Sequence, residues 1–228
     1  MSPIRNVLIC CAGTDTRLGL NMPKCLVPIE GRPLLHWQLD QLEEIENVVI
    51  VIGYRAAEVM GAVLAKRPDA IFVINHEFET TSTLDSMVRG AAYFREPFIY
   101  LDGDLLITPD AIQAVSDASC PCIGIRRTYS DQPVCVRMVD RSNPNMVTAF
   151  TRELEDYEWT GLAKLSPQHV KMGADEAYVY QAIEHFLPVA SVKIDCVEID
   201  TQEDLDEAKS WMKKRLASGA FGRLAEAV

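Results

Sequence analysis

Two cations, Arg17 and Lys24, fall within eleven residues of Gly13 in the stretch CCAGTDTRLGLNMPK (10–24), directly after the apolar run NVLIC. Arginine offers a planar fork that suits phosphate oxygens, and lysine a compact point charge. Gly13 permits a tight turn or a close approach of backbone to a bound group. The stretch can therefore hold an anion, although its spacing is neither GxxxxGK[ST] nor GxGxxG. A structural turn with surface cations is the competing reading. Acids gather elsewhere, at Asp102-Gly103-Asp104 and again from Glu198 to Asp204. Alone, the first group reads equally well as a solvated strand end. Glu203 and Asp204 read as acids favourably placed at a helix dipole. His36, His76, His169 and His185 sit in no motif with a matching nucleophile.

The chain-wide charge constrains what such a loop can bind. The formal net charge is −11, a field that repels nucleic acid and anionic membranes. It repels free nucleotides too, so a phosphate site here needs local cations and a divalent metal. The seven cysteines lie mostly in apolar runs without zinc-site spacing, which points to reduced, buried thiols in a cytoplasmic protein. There is no apolar run of the length that spans a membrane. The N-terminus turns polar after a short apolar run and reads as a first strand, not a signal peptide.

Elements must bring these groups together. The pattern predicts strands over 6–12, 47–53, 70–75 and 98–104. Between them it predicts helices from Pro33 (PLLHWQLDQLEEI), over 54–67 and over 83–94. This alternation implies an α/β, Rossmann-like three-layer sandwich with a mostly parallel central sheet. Function in such sheets gathers at the carboxyl ends of the strands, where the cationic loop, Asn75 and Asp102–Asp104 would lie. The second half changes character. Strands over 122–128, 133–140 and 145–153, joined by turn-rich loops, predict a small antiparallel layer. A helix over 175–185, a strand over 191–199 and a helix QEDLDEAKSWMKKRLA capped by Thr201 complete the chain. No linker separates the halves, 1–118 and 119–228, so residues 1–228 read as a single domain.

The segment CAGTDTRLGLNMPKCLVPIEGRPLL resembles the signature of the nucleotidyltransferases that couple nucleoside triphosphates to small phosphorylated acceptors. Ala12, Gly13, Arg17, Leu18, Pro23, Lys24, Leu26, Gly31, Pro33 and Leu34 match it, and Asp15 stands where the family usually has a second glycine. LDGD (101–104) resembles the family's strand-end acidic motif, and EIDTQEDL (198–205) its closing acidic motif. INHEFETTSTLDSM (74–87) resembles the phosphocholine and phosphonate cytidylyltransferase branch. In that branch a segment like YEWTGLAKLS (157–166) lies on the acceptor side.

The resemblance implies roles, and it makes 1–118 the nucleotide-binding half and 119–228 the acceptor-binding half. Arg17 and Lys24 would act on the triphosphate as the catalytic cations. Ala12, Gly13, Thr14, Asp15, Asn75, Thr81, Ser82 and Asp102 would contact the nucleotide. Asp104 and Asp200 would bind Mg²⁺, and Tyr157, Trp159 and Lys164 would line the acceptor pocket. The implied reaction is attack by an acceptor phosphate or phosphonate oxygen on the α-phosphorus, with loss of pyrophosphate. Such an acceptor is already ionised at neutral pH, its second pKa being about 6, so no general base is needed.

CTP is favoured by the 74–87 segment alone. A quaternary ammonium acceptor such as phosphocholine would want an aromatic cage. Tyr178 and Tyr180 lie two apart on an expected helix, a spacing that cannot turn both to one pocket. A sugar-1-phosphate transferase using UTP, GTP or dTTP and a non-catalytic nucleotide-binding relative stay open as alternatives. Relatives of this kind often form homodimers, and no segment here shows an interface.

Overall fold

The structure is a computed structural model. It describes residues 4–14, 17–140, 142, 144–173 and 175–222. In chain order the elements are β1 (Asn6–Cys11), β2 (Pro28–Ile29), β3 (Arg32–Pro33), α1 (Leu34–Asp40), β4 (Asn47–Ile52), α2 (Ala56–Leu64), β5 (Ile71–Ile74) and α3 (Thr83–Ala91). Then come β6 (Phe98–Asp102), β7 (Leu105–Ile107), α4 (Pro109–Asp117), β8 (Cys122–Arg127), β9 (Cys135–Met138), β10 (Met146–Thr151) and β11 (Tyr157–Leu165). The last are α5 (Val179–Glu184), β12 (Val189–Lys193), β13 (Cys196–Glu198) and α6 (Gln202–Ala217).

Among the described residues, nine strands form one sheet in the order β5-β4-β1-β6-β11-β8-β12-β10-β9. Strands β5, β4, β1 and β6 are parallel, as the alternation predicts. β1 is buried on both faces, which is why it reads as an unbroken apolar run. Leu8 and Cys10 face one core with Leu84 and Met87 of α3. Val7, Ile9 and Cys11 face the other, with Leu35 and Leu39 of α1, Val59 and Val63 of α2 and Val115 of α4.

The antiparallel half is not a separate layer. β11 joins the parallel half directly, pairing antiparallel with β6 through Leu162↔Leu101. β12 runs parallel to β8, and β9 pairs with both β10 and β11, so this half curls back on itself. Two further findings differ from the pattern-based expectation. Residues 191–199 are two strands, because the chain leaves the main sheet after the Ile194 N–H donates to the Ile125 carbonyl at 2.9 Å, and β13 pairs with β7 instead. The helix expected over 175–185 shortens to α5, with Tyr178 in extended backbone before it. Elsewhere α6 covers the expected residues, and Thr201 caps it with its side chain accepting from the Asp204 N–H. α6 packs Trp211 and Met212 against Val27, Ile29, Leu34 and Trp37 in a third core. Among the described residues, no helix is long and apolar enough to cross a membrane.

Candidate active site

The cleft opens at the carboxyl end of β1. Ala12 ends the buried run, and its carbonyl accepts from the Tyr54 N–H at 3.0 Å, which ties the loop to the end of β4. A Cβ on Gly13 would meet nothing within 4 Å, so the space beside it is open to a ligand. The loop returns to the protein at Leu18, which is buried in the α6 core. Pro23 then caps a 3₁₀ turn, Lys24–Leu26, whose Cys25 is buried and whose Lys24 projects into the cleft. Asp15 lies outside the described residues.

Asp104 and Asp200 are ninety-six residues apart in sequence, and the backbone explains why they meet. Asp104 immediately precedes β7, and Asp200 stands two residues past the end of β13. β7 and β13 pair antiparallel, with Glu198 opposite Leu105. The Ile199 N–H donates to the Asp104 carbonyl at 3.0 Å, which closes the end of the ladder. Gly103 is required at the turn, since a Cβ there would lie 2.6 Å from the Cys10 carbonyl oxygen. Buried Gln38 fixes the same turn, donating to the carbonyls of Asp102 at 2.9 Å and Leu105 at 2.7 Å.

Lys24 Nζ sits between the two acids. It donates to Asp104 Oδ2 at 3.4 Å and to Asp200 Oδ1, while Arg17 pairs with Asp200 Oδ2 at 2.6 Å. Glu198 joins the group: one carboxylate oxygen from each of Asp104, Glu198 and Asp200 lies within 4.8 Å of the others. Sequence reasoning assigned Glu198 no role, although it stands in the closing motif. Alternation along β13 was the available signal, because residues two apart share a face.

The electrostatics follow from crowding acids in a buried place. Burial, then Asp104 and Asp200, push the Glu198 carboxyl up to about 8. Burial and then Asp104 push Asp102 up to about 8, and the Tyr100 hydroxyl donates to it. Asp104 is raised by burial against the pull of Lys24. Burial would lower Lys24, but Asp104 and Asp200 outweigh it and raise its pKa, so the ammonium stays charged. Three hard oxygen donors this close, in a cluster that disfavours several negative charges at once, suit a divalent cation such as Mg²⁺.

One wall of the cleft belongs to the first half. Asn75 is 1 % exposed, and its amide donates to Thr81 Oγ1 at 2.9 Å and Ser86 Oγ at 3.1 Å. Its Oδ1 accepts from the Glu77 N–H at 3.1 Å. Ser82 caps α3 in a reciprocal capping box with Asp85. These side chains line the cleft, and each also has a partner within the chain; Asn75 positions the loop rather than reaching outward.

The other wall comes from the second half. Arg126 and Glu158 form a buried ion pair at 2.6 Å, and the Ser130 hydroxyl donates to the same carboxylate at 2.9 Å. Arg126 also donates to the Cys196 carbonyl at 3.1 Å, which joins this wall to β13. Trp159, Tyr178 and Tyr180 complete it. The whole cleft encloses about 920 Å³, within the range of small-molecule sites.

Thus the cleft brings together Ala12, Gly13, Thr14, Arg17, Lys24, Asn75, Thr81, Ser82, Asp102, Asp104, Trp159 and Asp200. It does not bring in Tyr157 or Lys164. Tyr157 is 4 % exposed in the core, with Arg127 and Lys193 over its ring. Lys164 is buried, its ammonium donating to the carbonyls of Ser116 at 2.6 Å and Ala118 at 2.8 Å. It caps the C-terminus of α4, where carbonyls lack helical partners. Its strand position opposite Ile99 places it well below the edge where the cleft opens.

Comparison with known proteins identifies a family and a fold. Residues 7–166 match the family described as "MobA-like NTP transferase domain". A curated relative, the bifunctional protein GlmU of Burkholderia mallei (strain SAVP1), is 28 % identical over 152 residues, covering 65 % of this chain and 33 % of the relative. The chain thus spans about a third of the length of the curated relatives it matches. The CTP:phosphocholine cytidylyltransferase LicC of Streptococcus pneumoniae has a similar structure, with TM-score 0.75 at 16 % identity over 92 % of this chain and all of that one. A UDP-glucose pyrophosphorylase complexed with UDP-glucose gives TM-score 0.75 at 16 % identity over 93 % of this chain and 99 % of that one. At these identities the structural likeness fixes the fold.

Proposed function

The chain belongs to the MobA-like NTP transferase domain family, and from that premise we propose that it is a CTP-dependent nucleotidyltransferase that moves CMP onto a small phosphate or phosphonate acceptor and releases pyrophosphate. The observation that carries the reading is the placement of Lys24 between Asp104 and Asp200, with Arg17 beside them, at the mouth of a cleft with two walls. The likeness to LicC and the 74–87 segment support CTP.

The residues present can do this chemistry. Two anions must approach each other while charge builds on the departing pyrophosphate. Arg17 and Lys24 supply preorganised positive charge in a partly water-excluded place, where it acts most strongly. Asp104, Glu198 and Asp200 would hold Mg²⁺, which when bound neutralises and orients phosphate oxygens. Asp200 does double duty, holding both cations in position through its two oxygens. The acceptor needs no base, and none of the histidines lines the cleft.

The equal likeness to a UDP-glucose pyrophosphorylase supports a second reading, UTP with a sugar 1-phosphate. Pyrophosphate release, measured for each NTP against a panel of phosphonates, phosphocholine and sugar 1-phosphates with Mg²⁺, tests both. CTP with a phosphonate or phosphocholine supports the first. UTP with a sugar 1-phosphate overturns it in favour of the second, and no release with any pair overturns both.

A further inference from the structure

The aromatic wall of the cleft already carries a cation of its own. Tyr178 precedes α5 in extended backbone rather than lying in its first turn. The tyrosine rings therefore stack, with centroids 5.7 Å apart and an interplanar angle of 18°. The spacing argument from sequence, which separated them, fails for that reason. The Arg152 guanidinium lies 5.3 Å from the Tyr178 ring centroid and 5.6 Å from that of Tyr180. Phe150 supports Tyr180 at 5.4 Å and meets Trp159 edge-on at 6.5 Å. The result is a ladder of rings with a guanidinium seated on it.

A cage for a quaternary ammonium needs ring faces free for the incoming cation. Here the chain's own cation already lies against both rings, and a second would be repelled. Arg152 is also uncommitted in charge. Its hydrogen bonds go to the carbonyls of Gln132 at 3.2 Å and Pro133 at 3.5 Å, and among the described residues no carboxylate pairs with it. The neighbouring Glu153 and Glu155 instead hold Arg137. A guanidinium has five donors, so two carbonyl contacts orient it and leave others for a ligand. An exposed arginine without an acid partner is unexpected on the wall of a cleft in a chain of net charge −11.

We propose that Arg152 selects the acceptor: it binds a carboxylate at the far end of a phosphonate or phosphate whose reacting end meets Lys24 and Arg17. The forked donor geometry matches a carboxylate. The stacked tyrosines hold the fork flat and limit the entropy lost on binding. Quaternary ammonium acceptors are disfavoured by the same group. This inference rests on the reading of the cleft as a nucleotidyltransferase site.

The test compares three phosphonates of similar length: 3-phosphonopropionate, 2-aminoethylphosphonate and propylphosphonate. Steady-state pyrophosphate release is measured with the best NTP, for wild type, Arg152→Ala, Arg152→Lys and Arg152→Glu. The carboxylated acceptor is expected to have the highest kcat/KM in wild type. Arg152→Ala should lower it by about tenfold more than it lowers that of propylphosphonate, the amount typical of a lost hydrogen bond to a charged group at an open site. The loss should appear in the acceptor KM and not in the NTP KM. Lysine should rescue part of it, and Arg152→Glu should shift preference toward the ammonium acceptor. A wild-type preference for 2-aminoethylphosphonate or phosphocholine overturns the proposal. So does an Arg152→Ala effect confined to the NTP KM or equal for all acceptors. If no acceptor yields pyrophosphate, the transferase reading fails, and calorimetric titration with 3-phosphonopropionate decides the role of Arg152. Binding to wild type weakened in Arg152→Ala supports it, and no binding or equal binding overturns it.

Discussion

The two halves of the cleft place their functional groups by different means. In the first half, backbone topology does most of the placing. Parallel strands β1 and β6 end at one edge, Asp104 follows β6 by two residues and Arg17 follows β1 by six, and the short β7–β13 ladder brings in Asp200. In the second half, side chains place side chains: the Arg126–Glu158 pair holds Ser130, Ser130 begins the stretch whose Gln132 and Pro133 carbonyls orient Arg152, and Arg152 rests on Tyr178 and Tyr180. The cations differ in the same way. Arg17 and Lys24 are held by Asp104 and Asp200, whereas Arg152 has no acid among the described residues. In the proposed reading, groups that would meet a triphosphate can stay tied to carboxylates, since bound Mg²⁺ and substrate would change the balance of charge around them. A group proposed to choose an acceptor has to be ready to receive it.

The largest effect should come from removing a charge in the first half. Lys24→Ala or Asp104→Asn is expected to lower turnover about a hundredfold or more, as for other lost charge-stabilising groups. Pyrophosphate release at saturating Mg²⁺ and NTP checks this, and near-normal rates in either variant would remove Lys24 or Asp104 from the chemistry. Millimolar Mg²⁺ is expected to stabilise wild type, because ligands that bind only the folded state raise its melting temperature, and the same Asp104→Asn variant should lose that stabilisation. Chelator and Mg²⁺ melting curves that respond alike in variant and wild type would place the ion elsewhere.

The second half should break through stability first. Glu158 is 1 % exposed, and Glu158→Gln leaves the Arg126 guanidinium buried without a countercharge. Breaking a buried pair in this way costs about 3 kcal/mol, which lowers the melting temperature of a chain this size by about 10 °C. A paired Arg126→Met/Glu158→Leu variant should regain much of that stability, since apolar replacements of both partners avoid the desolvation cost. It should still bind acceptor poorly, because Ser130 loses its anchor. A double variant with wild-type acceptor KM would show that the ion pair has no part in shaping this wall.

This difference also explains what could be read from the sequence. The parallel half is legible because β1, β4 and β6 are buried on both faces and so write continuous apolar runs. Their turns need particular residues: Gly103 is fixed by the Cys10 carbonyl, and Pro23 starts the turn that aims Lys24. The meeting of Asp104 with Asp200 was legible only by resemblance, since it depends on the short β7–β13 ladder, too brief to show a pattern. The second-half wall left no local signature. Only the resemblance of their segment assigns Lys164 and Tyr157 to the acceptor pocket, and strand β11 turns one to the α4 terminus and the other into the core. Arg152 drew no attention because its place depends on Tyr178 and Tyr180, nearly thirty residues away.

One glycine joins the two halves and gives a smaller, sharper test. Gly161 has φ of +79° and lies where the pairing of β11 with β8 shifts register, and a Cβ there would strike the Asp102 carboxylate. Gly161→Ala is expected to cost about 1–2 kcal/mol of backbone strain, or about 5 °C in melting temperature. It should also lower kcat, because Asp102 must move to make room. Unchanged kcat with the expected loss of stability would show that Asp102 is a floor and not a participant.

The smallest effects separate the halves most cleanly, because two helix caps of the same kind serve different ends of the cleft. Ser82 caps α3 and Thr201 caps α6, each in a reciprocal box with the acid three residues on, Asp85 and Asp204. Replacing either by alanine should cost about 1 kcal/mol, or about 3 °C. The kinetics should differ. Asp204 accepts from the N–H groups of Asp200 at 3.1 Å and Thr201 at 2.8 Å, so loosening this cap loosens the carboxylate that holds Arg17 and Lys24. Thr201→Ala should therefore lower kcat severalfold with little change in NTP KM. Ser82 lines the first-half wall beside the Asn75 network, the wall proposed to take the nucleotide, so Ser82→Ala should raise the NTP KM more than it lowers kcat. If both variants change only kcat, or only KM, the two caps serve one rigid unit and the division of labour between the halves fails at this level.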